Sequence, residues 1–129
     1  MLGHISFGVS DIARSKRFYT EALAPLGVGL VWEYGEALGY GPVGGNDKLA
    51  LFLKKESDVP LAAGPGFHLA FDAPSREAVD LFYEAAMKAG GRCDGPPGLR
   101  PHYGPTYYAA FVFDPDGHKL EAVHQKRDL

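Results

Sequence analysis

An internal repeat constrains this chain more than any other feature. His68-Leu69-Ala70-Phe71 repeats His4-Ile5-Ser6-Phe7 at an offset of 68 − 4 = 64 residues. Under that offset Ser75 falls on Asp11, Phe82-Tyr83 on Phe18-Tyr19, Ala86 on Ala22 and Gly91 on Gly27. Matches in register along one strand–helix unit indicate a duplicated module. Residues 3–9 alternate small or polar side chains with Ile5, Phe7 and Val9, the pattern of a half-buried strand. Asp11 is the helix N-cap signal that follows, and Phe18, Tyr19, Ala22, Leu23 and Leu26 mark the apolar face of the helix. Three strand-like pieces come next, at about 28–34, 37–41 and 48–53, separated by glycine-rich turns. In the second copy Lys119-Leu120 matches Lys48-Leu49 at 119 − 48 = 71, because the glycine- and proline-rich loop 95–105 is longer. The predicted fold is α+β: two βαβββ modules forming a half-barrel cavity with the helices outside. A single domain spans 1–129, with module one at about 1–57, a linker at about 58–66 and module two at about 67–129.

A chain of 129 residues, 46% hydrophobic and 22% charged, has the make-up of one ordinary globular domain. The net charge is −3 and the basic residues are scattered, with only pairs such as Lys54-Lys55 and Lys126-Arg127. This predicts neither a nucleic-acid surface nor an anionic-membrane surface. No apolar run is long enough to span a bilayer, and the first residues carry no secretory pattern. Cys93 is the single cysteine, so no internal disulfide forms, and Asp94 beside it is no activating base. A cytoplasmic location is the expectation.

The most informative stretch is 107–124, YYAAFVFDPDGHKLEAVH, read as a hairpin turning at Asp114-Pro115-Asp116-Gly117. On the return strand Leu120 and Ala122 suit the helix-packed side, which leaves Glu121 pointing the other way among apolar neighbours. A buried carboxylate is costly unless it is paired or bound to a metal. On the first strands Ile5, Phe7, Leu69 and Phe71 pack under the helices, so His4 and His68 share the helix-free face with Glu121. Two imidazoles and one carboxylate on a shared cavity face form a three-ligand metal site with open positions for water or substrate. A lone histidine on a strand is more often a hydrogen-bonded structural residue. Two at repeat-equivalent positions, matched by a glutamate, favour the metal. His118 and His124 have the opposite parity to Glu121 and are excluded as ligands.

The paired modules, the strand-one histidines and the DPDGHKLE hairpin resemble the vicinal oxygen chelate superfamily, which contains glyoxalase I, bleomycin-resistance proteins, fosfomycin-resistance transferases and extradiol dioxygenases. The resemblance covers nearly the whole chain and implies that His4, His68 and Glu121 bind a divalent ion: Fe(II), Mn, Ni or Zn. It implies a metal-dependent enzyme, lyase/isomerase or dioxygenase, acting on a small substrate with vicinal oxygens. The alternative is a non-catalytic, drug-sequestering protein of the bleomycin-resistance type. Glyoxalase I enzymes use a fourth ligand on the last strand of the other module, where this chain has Ala50. The fosfomycin enzymes carry serine and tyrosine where this chain has Ala109 and Phe111.

Further candidates lie around these ligands. The 95–105 loop is either a lid over the cavity or a solvent loop with incidental polar residues; as a lid it offers Arg100 for an anionic substrate, Tyr103 for substrate contact and His102 for proton transfer. Tyr107 shares the parity of Ala109 and Phe111, so it is either a cavity-lining catalytic candidate that donates a hydrogen bond or a packed aromatic. Ser6 faces the cavity from the first strand as a substrate-binding candidate, and Trp32 is a candidate wall of an apolar pocket in module one, although such residues are more often simply core. Four-stranded modules leave sheet edges and apolar surface uncovered. The resemblance implies a homodimer, with the cavity formed either within one chain or across two. Light scattering at micromolar concentration is expected to return twice the monomer mass.

Overall fold

The computed structural model describes residues 1–55 and 58–126, and both expected modules are present. Module one runs β1 (Ile5–Val9), α1 (Ile12–Leu23), β2 (Val28–Tyr34), β3 (Ala37–Pro42) and β4 (Leu49–Leu53). Module two runs β5 (Leu69–Asp72), α2 (Arg76–Lys88), β6 (Arg92–Leu99), β7 (Tyr108–Phe113) and β8 (Lys119–His124). The expected module-one boundary at 57 and Arg127 of the basic pair lie outside the described residues.

Each module is a four-stranded mixed sheet, in the orders β1-β4-β3-β2 and β5-β8-β7-β6. The first and last strands of each module pair in parallel and the others antiparallel. Ser6 pairs with Ala50, and Ala70 pairs with Glu121. These pairs reproduce both repeat offsets, 70 − 6 = 64 and 121 − 50 = 71. The sheets stay open and do not close into a barrel.

The helices start where the sequence predicts. The Asp11 side chain accepts from the Arg14 N–H and the Ser75 side chain from the Ala78 N–H, each at 3.0 Å. Both caps satisfy amides that have no partner in the first helical turn. The helices pack on each other as well as on their sheets. Phe18, Tyr19, Leu23, Val79 and Phe82 join Leu38, Leu51, Val112 and Leu120 in one apolar core. Side chains of this kind contribute about 1.5–3 kcal/mol each when fully buried. Leu120 and Ala122 are fully buried in that core, so Glu121 between them belongs to the opposite face of β8.

One expectation needs correction. The stretch 95–105 is not a loop throughout, because residues 95–99 belong to β6 and pair with β7 through Gly95–Phe111, Gly98–Ala109 and Leu99–Tyr108. Two register shifts interrupt the ladder, between Cys93 and Gly95 and between Gly95 and Gly98. Pro96 and Pro97 have no N–H to offer a ladder, and β6 at the end of the sheet order accommodates them at bulges. The connection that remains begins at Arg100.

The 114–118 turn holds the modules together. Asp114 accepts from the amides of Asp116 and His118 through one oxygen, at 2.9 and 2.8 Å, and from the Tyr19 hydroxyl through the other, at 2.5 Å. Burial pushes the Asp114 carboxyl above its ordinary pKa, against the lowering effect of the Tyr19 and His118 contacts. Asp116 accepts from the Ser10 amide and hydroxyl and pairs with Arg14 at 3.1 Å. Gly117, at φ +91°, lets the chain reverse. His118 stacks on Phe7 at 3.9 Å between ring centroids, and its Nε2 lies 2.7 Å from the Gly8 carbonyl.

Tyr19→Phe is expected to leave one Asp114 oxygen buried without its donor and to destabilise the fold by about 1–3 kcal/mol. Urea unfolding checks this, with a lowered midpoint and an unchanged slope.

Candidate functional site

The site is built on β5, β7 and β8. Because β5 and β8 run parallel with Ala70 opposite Glu121, His68 lies two residues along the same face from the glutamate's partner. Its Nε2 is 2.8 Å from Glu121 Oε1. Glu121 is 1% exposed, whereas the His68 side chain is 39% exposed and reaches solvent. The other carboxylate oxygen accepts from the Tyr107 hydroxyl. Phe111 is the cross-strand partner of Glu121, and Tyr107 shares its parity, so the phenol reaches the carboxylate along one face of the sheet. The cost of burying Glu121 is thus met by two donors. Burial first, and then the bond to Glu121, raise the Tyr107 pKa, so the phenol keeps its proton through the neutral range.

Tyr107 continues into an aromatic row, with Tyr103 at 5.2 Å and His102 at 4.2 Å from Tyr103. His68 opens onto a cleft of about 270 Å³, lined by module-two residues that include His68, Arg100, His102, Tyr103 and Phe111. The sequence-predicted residues Tyr107, His102, Tyr103, Arg100, His68 and Glu121 therefore come together. Ser6 and Trp32 do not join them. Ser6 is exposed on β1, and the Trp32 ring on β2 covers Gly39. Two further lining residues, Asp94 and Lys119, form an ion pair at 3.1 Å. Lys119 was legible, since it shares the parity of Glu121, but nothing in the sequence marked Asp94. His118 and His124, excluded as ligands, hydrogen-bond to the backbone carbonyls of Gly8 and Ala73.

The third expected ligand, His4, lies in a neighbouring apolar cleft beside Lys48, Leu69, Ala70 and Phe71. Among the described residues no three His, Cys, Asp or Glu side chains are grouped closely enough to share an ion. His68 and Glu121 do have a spacing that suits adjacent ligands: donor atoms about 2.1 Å from an ion at a right angle sit about 3 Å apart. The donor set thus fits a metal at two positions. The third candidate lies beside Ala70, the register partner of Glu121.

Residues 1–122 match the family model described as the Glyoxalase/Bleomycin resistance protein/Dioxygenase superfamily. Among solved structures, a glyoxalase/bleomycin resistance protein from Albidiferax ferrireducens T118 is 33% identical, with 98% of this chain and 99% of that one covered and a TM-score of 0.80. A glyoxalase-related enzyme from Fulvimarina pelagi is 27% identical over 97% and 88% of the two chains, with a TM-score of 0.73. An E144Q mutant of glyoxalase I from Zea mays shares the fold at 24% identity and a TM-score of 0.71, over 94% of this chain and 45% of that one. A search of curated proteins returned no match. No helix among the described residues is long and apolar enough to cross a membrane.

Tyr107→Phe is expected to leave one buried Glu121 oxygen without its donor and to cost about 1–3 kcal/mol near neutral pH. The native phenol titrates above its ordinary value of 10.0, so its contribution is complete below the unfolded value and is lost as pH rises. Urea midpoints of the two proteins are expected to differ by a constant amount from pH 7 to about 10, and to start drawing together only above that, as the unfolded tyrosine ionises before the native one.

Proposed function

Since the chain belongs to the glyoxalase/bleomycin resistance protein/dioxygenase superfamily, we propose that it is a metal-dependent enzyme acting on a small substrate with adjacent oxygens. The observation that carries this reading is the His68–Glu121 pair, a fully buried carboxylate 2.8 Å from an imidazole that opens onto a cleft. His68 Nε2 and a Glu121 oxygen would be the ion's ligands, and His4 the third. Fe(II), Mn, Ni and Zn all suit a two-histidine, one-carboxylate set. A divalent ion there would supply Lewis acidity toward a substrate carbonyl, enolate or catecholate oxygen.

The protein's own groups provide the rest. Tyr107 holds a proton on its phenol at neutral pH and presents it toward Glu121 Oε2. Were Glu121 to serve as a metal ligand, the same hydroxyl would be available as a donor to a substrate oxygen in the cleft. His102, at the outer end of the aromatic row, is the candidate to take up or return a proton at an imidazole nitrogen. With alanine at position 50, β4 would supply no fourth protein ligand, which would keep an ion open to substrate oxygens.

Protein purified without chelator is expected to carry a stoichiometric divalent ion. Calorimetric titration is expected to show that His4→Ala, His68→Ala and Glu121→Ala each lose it. Wild-type affinity in any one variant removes that residue from the set. A wild-type protein that takes up no metal, yet binds small molecules, would establish the sequestering alternative. Oxygen uptake with catechols then separates dioxygenase chemistry from lyase or isomerase chemistry.

A further inference from the structure

The irregularity of β6 has a use. Its two register shifts flank Gly95, the second ending at Gly98, and the Arg100 guanidinium lies on the space those two glycines leave bare. A Cβ at Gly95 would stand 3.1 Å from one terminal nitrogen of Arg100, and a Cβ at Gly98 would stand 3.2 Å from the other. The guanidinium is tied down by a 2.7 Å hydrogen bond to the Pro96 carbonyl and lies 5.5 Å from the Phe111 ring centroid. Bulges and strand glycines recur where a backbone must admit another group closely. Here the group admitted is a cation.

That cation is oriented yet electrically unmatched. Arg100 makes no ion pair with a carboxylate among the described residues, whereas Lys119, the other cation of the cleft, is neutralised by Asp94 at 3.1 Å. Glu121 does not present bare charge to an entering anion, since it is buried and both its oxygens accept hydrogen bonds. The surrounding walls are flat: Phe111, Tyr103 and the imidazole of His102. A guanidinium fixed in one plane presents paired donors that match a carboxylate, and a flat aromatic wall suits a planar body.

We propose that the cleft recognises a small planar organic carboxylate, with Arg100 as the residue that binds its charged end. This rests on the reading of the cleft as the substrate site and names the substrate's class. The β6 glycines are then positioning residues, which hold the guanidinium flat before the ligand arrives.

Benzoate and its neutral isostere benzamide are suitable probes, titrated by calorimetry at low ionic strength into metal-free protein. The wild type is expected to bind benzoate about tenfold or more tightly than benzamide, the scale of one charge-assisted contact. Arg100→Gln is expected to abolish the preference and Gly98→Ala to weaken it, with amide spectra unchanged. Lys119→Gln is expected to retain most of it. Equal affinity for the two probes, no binding of either, or a preference that survives Arg100→Gln would overturn the proposal. Because the titration uses protein stripped of metal, its result is independent of whether His4, His68 and Glu121 hold an ion.

Discussion

The arrangement of the molecule depends on how the 114–118 turn of module two docks against the start of module one. Two open sheets joined by a linker have no intrinsic reason to keep one relative orientation. Here the hydroxyl of Tyr19 meets Asp114, Ser10 and Arg14 meet Asp116, and the His118 ring stacks on Phe7 while bonding to the Gly8 carbonyl. The contacts are polar and directional, and they sit at the margin of an apolar core that runs through both modules. The core supplies cohesion and the turn supplies registration. The same turn connects the strand that positions Tyr107 and Phe111 to the strand that carries Glu121. The docking of the modules and the geometry of the cleft are therefore set by one short segment.

Much of this was legible because it rests on local rules. Asp11 and Ser75 cap helices as their side chains dictate, and alternation along the strands separates Leu120 and Ala122 from Glu121. The repeat offsets reappear as strand pairs, since two copies of one sequence pattern fold by the same register. Parity alone placed His68, Tyr107 and Glu121 on one face, and the hydrogen bonds among them follow.

The remainder was less legible for physical reasons. Pattern rules read glycine and proline as loop formers, so the strand character of residues 95–99 was hidden, and with it the seat of Arg100. An edge strand accepts both residues because half of its backbone groups need no partner in the sheet. The partnership of Asp94 with Lys119 depends on how β6 bulges across β7, which no spacing in the sequence reports. His4 obeys the parity rule, yet parity fixes only a face. How far it lies from the second module's pair depends on how two separate sheets lean, and that is tertiary.

The strand order places β8 in the interior of its sheet, between β5 on one side and β7 on the other. A side chain on such a strand inherits a backbone fastened along both flanks, while β6 is fastened along only one. Glu121 is therefore carried by a strand fastened on both flanks, whereas Arg100 follows an edge strand and its guanidinium is held instead by the Pro96 carbonyl and the bare β6 glycines. Two different devices thus fix the two groups: a paired backbone at the glutamate, and one side-chain-to-backbone bond at the arginine. A sequence change confined to β6 reaches the arginine without touching the ladder that holds the glutamate.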